Sequence, residues 1–191
     1  MHFEGVIPEP GGRAPAPGPL RLVQLFVNTV DLEDGPELLA DPPALRAWLV
    51  ARGLLDPGVP VRTADHRRAI ELREAIRTLV EGADDPAPVE TVNAYADRAR
   101  LQPVLTAGGS ARLEPAAAGV DAALGRIVAA IHASIAEGTW PRLKACERHN
   151  CRWAFYDHSK NQSSHWCSTT GCGAREKNRR AYRRRVSRAR G

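Results

Sequence analysis

The sequence predicts a mainly α-helical body carrying one small β-hairpin, followed by a compact C-terminal module organised around cysteine. Three observations lead there. Apolar residues recur at helical spacing in most segments between positions 22 and 136. One pair of short extended runs, 102–106 and 111–115, flanks a Gly108-Gly109-Ser110 turn. All four cysteines, Cys146, Cys151, Cys167 and Cys172, fall after residue 145.

Residues 1–19 hold five Pro and four Gly and read as a flexible or extended leader. In PLRLVQLFVNTVD, residues Leu22, Val23, Phe26, Val27 and Val30 keep helical spacing, with a strand as the competing reading because the run is short and β-branched. Asn28 and Thr29 are polar within it; they serve as a cap or buried hydrogen bond, or line a pocket. Asp41-Pro-Pro-Ala starts a second helix with Leu45, Trp48 and Leu49, stopped by Gly53. Thr63 or Asp65 caps a helix over 65–81, whose stripe is Ala69, Leu72, Ile76 and Leu79. A further helix covers 88–101. After the hairpin, a long helix over 118–136 places Val120, Leu124, Ile127, Val128, Ile131 and Ile135 on one face, and Gly138 ends it. These stripes read as core rather than as a cofactor site. The domains expected are a leader (1–19), a helical body (20–137) and a cysteine module with a basic tail (138–191).

Charge is unevenly spread. Residues 138–191 carry 14 Lys and Arg against 3 Asp and Glu, whereas residues 1–137 carry 13 against 19. An acidic body and a basic end suggest contact with a polyanion through that end. No segment approaches the run of about 18 apolar residues that a membrane helix needs. The N-terminal stretch MHFEGVIPEPGG shows neither the basic nor the apolar region of a secretory signal. A reducing cytoplasm is the expected compartment.

The cysteines follow the spacing C-x4-C-x15-C-x4-C. Two close pairs separated by about fifteen residues match a tetrahedral four-thiolate zinc site, a closed and therefore structural one. Two disulfides in a secreted domain are the alternative. Four thiolates on one Zn²⁺ leave a formal charge of −2, which Arg148, Arg152, Arg175 and Lys177 are placed to offset. His149, His158 and His165 are alternative ligands. Trp153, Phe155, Tyr156 and Trp166 supply apolar mass, read as packing rather than base-stacking platforms. WAFYDHS and SHWCS read as two strands joined by the polar turn SKNQS. Cys172 then leads into AREKNRRAYRRRVSRAR, a helical sequence at whose N-terminus a thiolate gains from the helix dipole. Knuckle, hairpin and helix together describe a treble-clef-like finger. Arg175, Arg179 and Arg183 stack at i, i+4, i+8, and Arg180 and Arg184 form a second row. Tyr182, Val186 and Ala189 leave a thin apolar stripe to pack on the rest. The nucleic-acid-contacting candidates are Arg175, Lys177, Arg179, Arg180, Arg183 and Arg184.

These residues resemble a known pair of families. CERHNC, FYDHSKN and HWCSTTGCGARxK resemble the CGNR zinc finger. The upstream LFVNTVD (25–31), WL (48–49), GLL (53–55) and AIELREAIRTL (69–79) resemble the ABATE domain that precedes that finger. The resemblance covers residues 19–185. It implies a stress-induced transcription regulator with Cys146, Cys151, Cys167 and Cys172 as ligands to one structural zinc, a finger that binds DNA, Arg175 as the motif arginine, and a front domain that senses a ligand. Two positions depart from the pattern. Ala174 stands where the motif has Asn, and Ser164-His165 stand where an Arg often precedes W-C-S.

The leading expectation is a zinc-dependent DNA-binding regulator whose front domain senses a small molecule or forms a homodimer. An RNA-binding module and a thiol-based redox or zinc sensor are the alternatives. The sequence shows no nucleophile–base pair, phosphate loop or open metal position, so an enzyme is not expected.

Overall fold

The computed structural model describes residues 9–33, 35–82 and 84–190. The sequence readings of residues 1–8 lie outside them, as do the side chains of Pro10, Ala189 and Arg190.

The helices are α1 (Leu20–Val27), α2 (Pro42–Ala51), α3 (Thr63–Val80), α4 (Pro86–Ala99), α5 (Gly119–Ala136) and α6 (Ala174–Arg190). Two antiparallel pairs accompany them: β1 (Leu101–Leu105) with β2 (Ala111–Pro115), and β3 (Leu143–Ala145) with β4 (Ala154–Tyr156). The chain is thus mainly α with two small hairpins. The run after Pro19 is helical, and Leu20, Val23, Phe26 and Val27 are fully buried along α1. Asp41 caps α2, accepting from the Ala44 N–H at 2.8 Å, with Pro42 at the first turn where a missing N–H costs nothing. The cap of α3 differs from expectation. Arg62 is the boundary residue, and the Asp65 carboxylate accepts from its N–H at 2.8 Å from inside the first turn.

α5 is the central helix and packs against α1, α4 and the β1–β2 hairpin. By length and composition it is apolar enough to cross a membrane, contrary to the sequence expectation. Here its apolar residues face protein: Val120, Leu124, Ile127, Val128 and Ile131 are buried. Ile135 is not part of that face and is 57% exposed. Helix α4 approaches α5 so closely that a Cβ on Gly125 would lie 2.3 Å from the Ala99 Cβ.

The described part of the leader, a short 3-10 turn at Pro10–Gly12 followed by extended residues 13–17, is not separate from the body. Ala16 is buried, and its N–H donates to Gln24 Oε1 at 2.8 Å. The cysteine module is not separate either. Side chains alternate across a strand, so β4 has two working faces. Ala154 and Tyr156 join Leu143 in the core of the helical body, while Trp153 and Phe155 turn toward the cysteines. Tyr156 therefore belongs to the body and not, as its position in the sequence suggests, to the module's own apolar mass. The second strand of the module also differs from expectation. β4 pairs backward with β3 across the Cys146–Cys151 knuckle, and residues 164–168 form no strand. Asp157 explains this. Its carboxylate accepts from the Ser159 and Ser164 N–H groups, both at 3.0 Å, and from Lys144 Nζ at 2.8 Å, folding SKNQS into a closed loop.

Candidate metal centre and basic helix

The β3–β4 turn presents Cys146 and Cys151, and the loop after Asp157 returns to bring Cys167 and Cys172 beside them. All four sulfurs lie within 4.8 Å of one another and are buried. Tetrahedral Zn–S bonds of about 2.3 Å set sulfurs about 3.8 Å apart. The Cys151–Cys167 and Cys167–Cys172 sulfur separations are both 3.6 Å, matching that spacing and far from a disulfide bond. The donor set is soft, complete and closed, and fits one zinc ion. Without a cation the thiols compete for charge. Hydrogen bonds from Cys151 and Cys167 hold the Cys146 thiol far below its ordinary range, and the same contacts push Cys151 and Cys167 up. A metal that binds all four as thiolates removes that competition. Among the described residues no histidine belongs to the cluster. His149 meets Asn150, His158 meets the carbonyls of Ala14 and Pro15, and His165 meets Glu147.

The first two cysteines are held by local backbone bonds. The Cys146 N–H donates to the Trp153 carbonyl and the Cys151 N–H to the Arg148 carbonyl, both at 2.9 Å. Thr169–Gly173 forms a wide π-helical turn into α6, capped by Ser168, whose Oγ accepts from the Gly171 N–H at 3.0 Å. Gly173 sits tightly against its neighbours. A Cβ there would lie 3.0 Å from the Trp166 ring. Ala174 opens α6, and Ser168 performs the capping on this turn.

The finger is fastened to the body by side chains whose partners lie far away in the sequence. Asn28, at the C-terminus of α1, donates from Nδ2 to the Ala154 carbonyl at 2.7 Å, and its Oδ1 accepts from the Ala154 N–H at 2.9 Å. Its amide stands where a neighbouring strand would pair with β4. This resolves the two sequence readings of Asn28 toward a buried hydrogen bond. Thr29 Oγ1 donates to the Phe26 carbonyl at 2.8 Å and accepts from Arg73 at 3.0 Å. Arg77, only 1% exposed, donates to the Val27 carbonyl at 2.6 Å and the Arg152 carbonyl at 3.3 Å. Burial works against the Glu74 carboxylate, yet Arg77 and Arg73 hold its pKa below the ordinary value. The i, i+4 spacing of Arg73 and Arg77 inside an apolar stripe was the available signal for this network.

Carboxylates of the body also reach the finger's cations. Glu33 pairs with Arg148 and, at 2.6 Å, with Arg175; Glu81 pairs with Arg152. Arg148 hydrogen-bonds Glu33, whose carboxylate raises its pKa. Part of the charge asymmetry along the chain is therefore complementarity within the fold.

Helix α6 contacts mainly the turn that launches it. Its 17 residues extend about 25 Å at 1.5 Å per residue. The expected apolar stripe does not pack on the rest: Tyr182 is 69% exposed and Val186 half-buried, and Ala189 falls outside the described side chains. The six candidate cations divide into two groups. Arg175 is held by Glu33, and Arg179 and Arg180 by Glu176, at 2.8 and 3.1 Å. Lys177, Arg183 and Arg184 are exposed and form no ion pair among the described residues. Lys177, Arg180 and Arg184 share a groove of about 340 Å³ with Trp166 and Gly173.

The ABATE family model, described as "Putative stress-induced transcription regulator", matches residues 20–138. The CGNR zinc-finger model matches residues 142–185. No curated protein matches the chain.

Proposed function

Because the chain belongs to the ABATE family and carries a CGNR zinc finger, we propose that it is a zinc-stabilised transcription regulator that grips nucleic acid, DNA in preference to RNA, along α6. The observation that carries this reading is that Lys177, Arg183 and Arg184 are exposed on a helix whose main contacts are with the turn that launches it. Like charges stacked at i, i+4 repel by a few tenths of a kcal/mol per pair, and a phosphate backbone relieves that cost. We read the finger as a treble clef, supported by a knuckle on the β3–β4 turn and a last cysteine at the head of α6. In this scheme the metal does no chemistry. It fixes the start of α6 relative to the body, and the reducing cytoplasm keeps its four thiols available.

Changing Lys177, Arg183 and Arg184 together to Gln should weaken duplex binding and reduce the log–log salt slope by about 3, with zinc content unchanged. Fluorescence anisotropy across a salt series measures both. Unaltered affinity and slope would move the contact surface off α6. Competition by RNA of equal length decides the nucleic-acid type; RNA displacing duplex DNA at equal concentration would reverse that preference.

Glu33 bears on the same surface. A phosphate reaching Arg148 or Arg175 has to displace its carboxylate, which is largely covered. The Glu33→Gln variant is expected to bind duplex DNA a few-fold more tightly at low salt, with the difference shrinking as salt rises. Equal or weaker binding would show that these two arginines stay paired in the complex.

A further inference from the structure

Residues 9–16 precede both matched regions, yet they lie against the metal centre. Arg13 makes the central contact. Its Nε donates to the Cys167 carbonyl at 2.6 Å and its Nη2 to the Trp166 carbonyl at 2.8 Å, while its guanidinium covers the Phe155 ring at 4.7 Å. Two parallel charge-assisted bonds from one planar fork fix the orientation of the peptide they grip. That peptide carries the third cysteine. Gly11 touches the segment bearing the fourth. Its φ is +69°, and a Cβ there would lie 2.7 Å from Oγ of Ser168, the residue that caps the turn holding Cys172. Glu9 completes the contact by accepting from Trp153 Nε1 at 3.2 Å, and His158 donates to the Ala14 and Pro15 carbonyls at 3.2 Å.

The two cysteine pairs are not equally supported. The first lies on a paired hairpin, β3–β4. The second lies in residues 164–173, which have no strand partner. From the rest of the chain that segment receives bonds at its start: the Glu147 N–H donates to the His165 carbonyl at 3.0 Å, and Asp157 accepts from Ser164. At Trp166 and Cys167 themselves, Arg13 supplies the side-chain bonds. Zinc leaves a four-thiolate site by losing ligands in turn, and the pair without a sheet is the one positioned to open first.

We propose that residues 9–16 form a strap that holds the zinc centre closed, with Arg13 as the positioning residue through which it acts on Cys167. Its cation also stands beside a tetrathiolate centre of formal charge −2, which favours the metal-bound form. The strap sets the rate of zinc release and need not touch nucleic acid.

The test uses the full zinc-loaded chain and follows metal transfer to an excess of chromogenic chelator. Arg13→Ala should release zinc at least about tenfold faster, the effect of losing charge-assisted hydrogen bonds. Arg13→Lys should fall between it and the parent, because an ammonium restores the charge but does not span two carbonyls. Gly11→Ala should also accelerate release while leaving Arg13 intact. The tetrahedral absorption bands of the cobalt-substituted protein should shift in Arg13→Ala, with the helical signal of the body unchanged. Release at the parent rate in both Arg13→Ala and Gly11→Ala would overturn the strap. Lysine behaving like alanine, with cobalt bands unmoved and a matching loss of global stability, would overturn the positioning role.

Discussion

Replacing Cys167 with serine should remove stoichiometric zinc, unfold the finger and also weaken the helical body. Loss of a structural four-thiolate site forfeits on the order of 10 kcal/mol of binding energy that serves as folding energy. With the sequence alone, the two halves look separable, so residues 20–136 should be unaffected. The structure changes that expectation. Leu143, Ala154 and Tyr156 are buried in the same core as α1 and α5. If β4 leaves, the Asn28 amide and the Arg77 guanidinium lose Ala154 and Arg152 as partners. The variant should retain helical circular dichroism yet melt several degrees lower than the zinc-loaded parent, with metal content below one per chain. Retained zinc at one per chain would show that Cys167 is dispensable to the site. An unchanged melting temperature for the body would show that the shared core contributes nothing measurable.

Asn28→Ala should be the most damaging single truncation outside the metal site. Ala154 is fully buried, and both of its main-chain polar groups bond the Asn28 side chain. A buried donor or acceptor left without a partner costs about 1–3 kcal/mol, so losing both bonds should destabilise the zinc-loaded protein by about 2–4 kcal/mol. Gln24 Nε2 lies 3.3 Å from the Ala154 carbonyl and offsets part of this. Asn28→Asp should not rescue, because a carboxylate oxygen then faces the carbonyl that Nδ2 served. Urea denaturation of the zinc-loaded variants measures both effects. A loss below about 0.5 kcal/mol for Asn28→Ala would mean that water or Gln24 takes over the pairing.

The four-cysteine cluster, the order of the helices and the first hairpin were legible because each rests on local chemistry. Thiolate spacing, helical periodicity, Asp-Pro caps and a Gly-Gly turn act over a few residues. The partner of β4 was not legible, since WAFYD and SHWCS alternate equally well. Asp157 decides the matter by accepting from Ser159, Ser164 and Lys144 at once. The apolar character of Tyr182 and Val186 suggested packing, but among the described residues α6 contacts mainly the turn that launches it, and Tyr182 stays exposed.

The sequence by itself determined a helical body, a zinc-binding cysteine quartet and a basic C-terminal helix. Only the tertiary structure decided how they are joined. Asn28 meets Ala154, Glu33 meets Arg175 and Arg13 meets Cys167 across 126, 142 and 154 residues of chain. Pairings over such separations leave no local periodicity or spacing to read. They exist because α1 and β4 share one apolar core, and burial brings their polar groups within bonding distance.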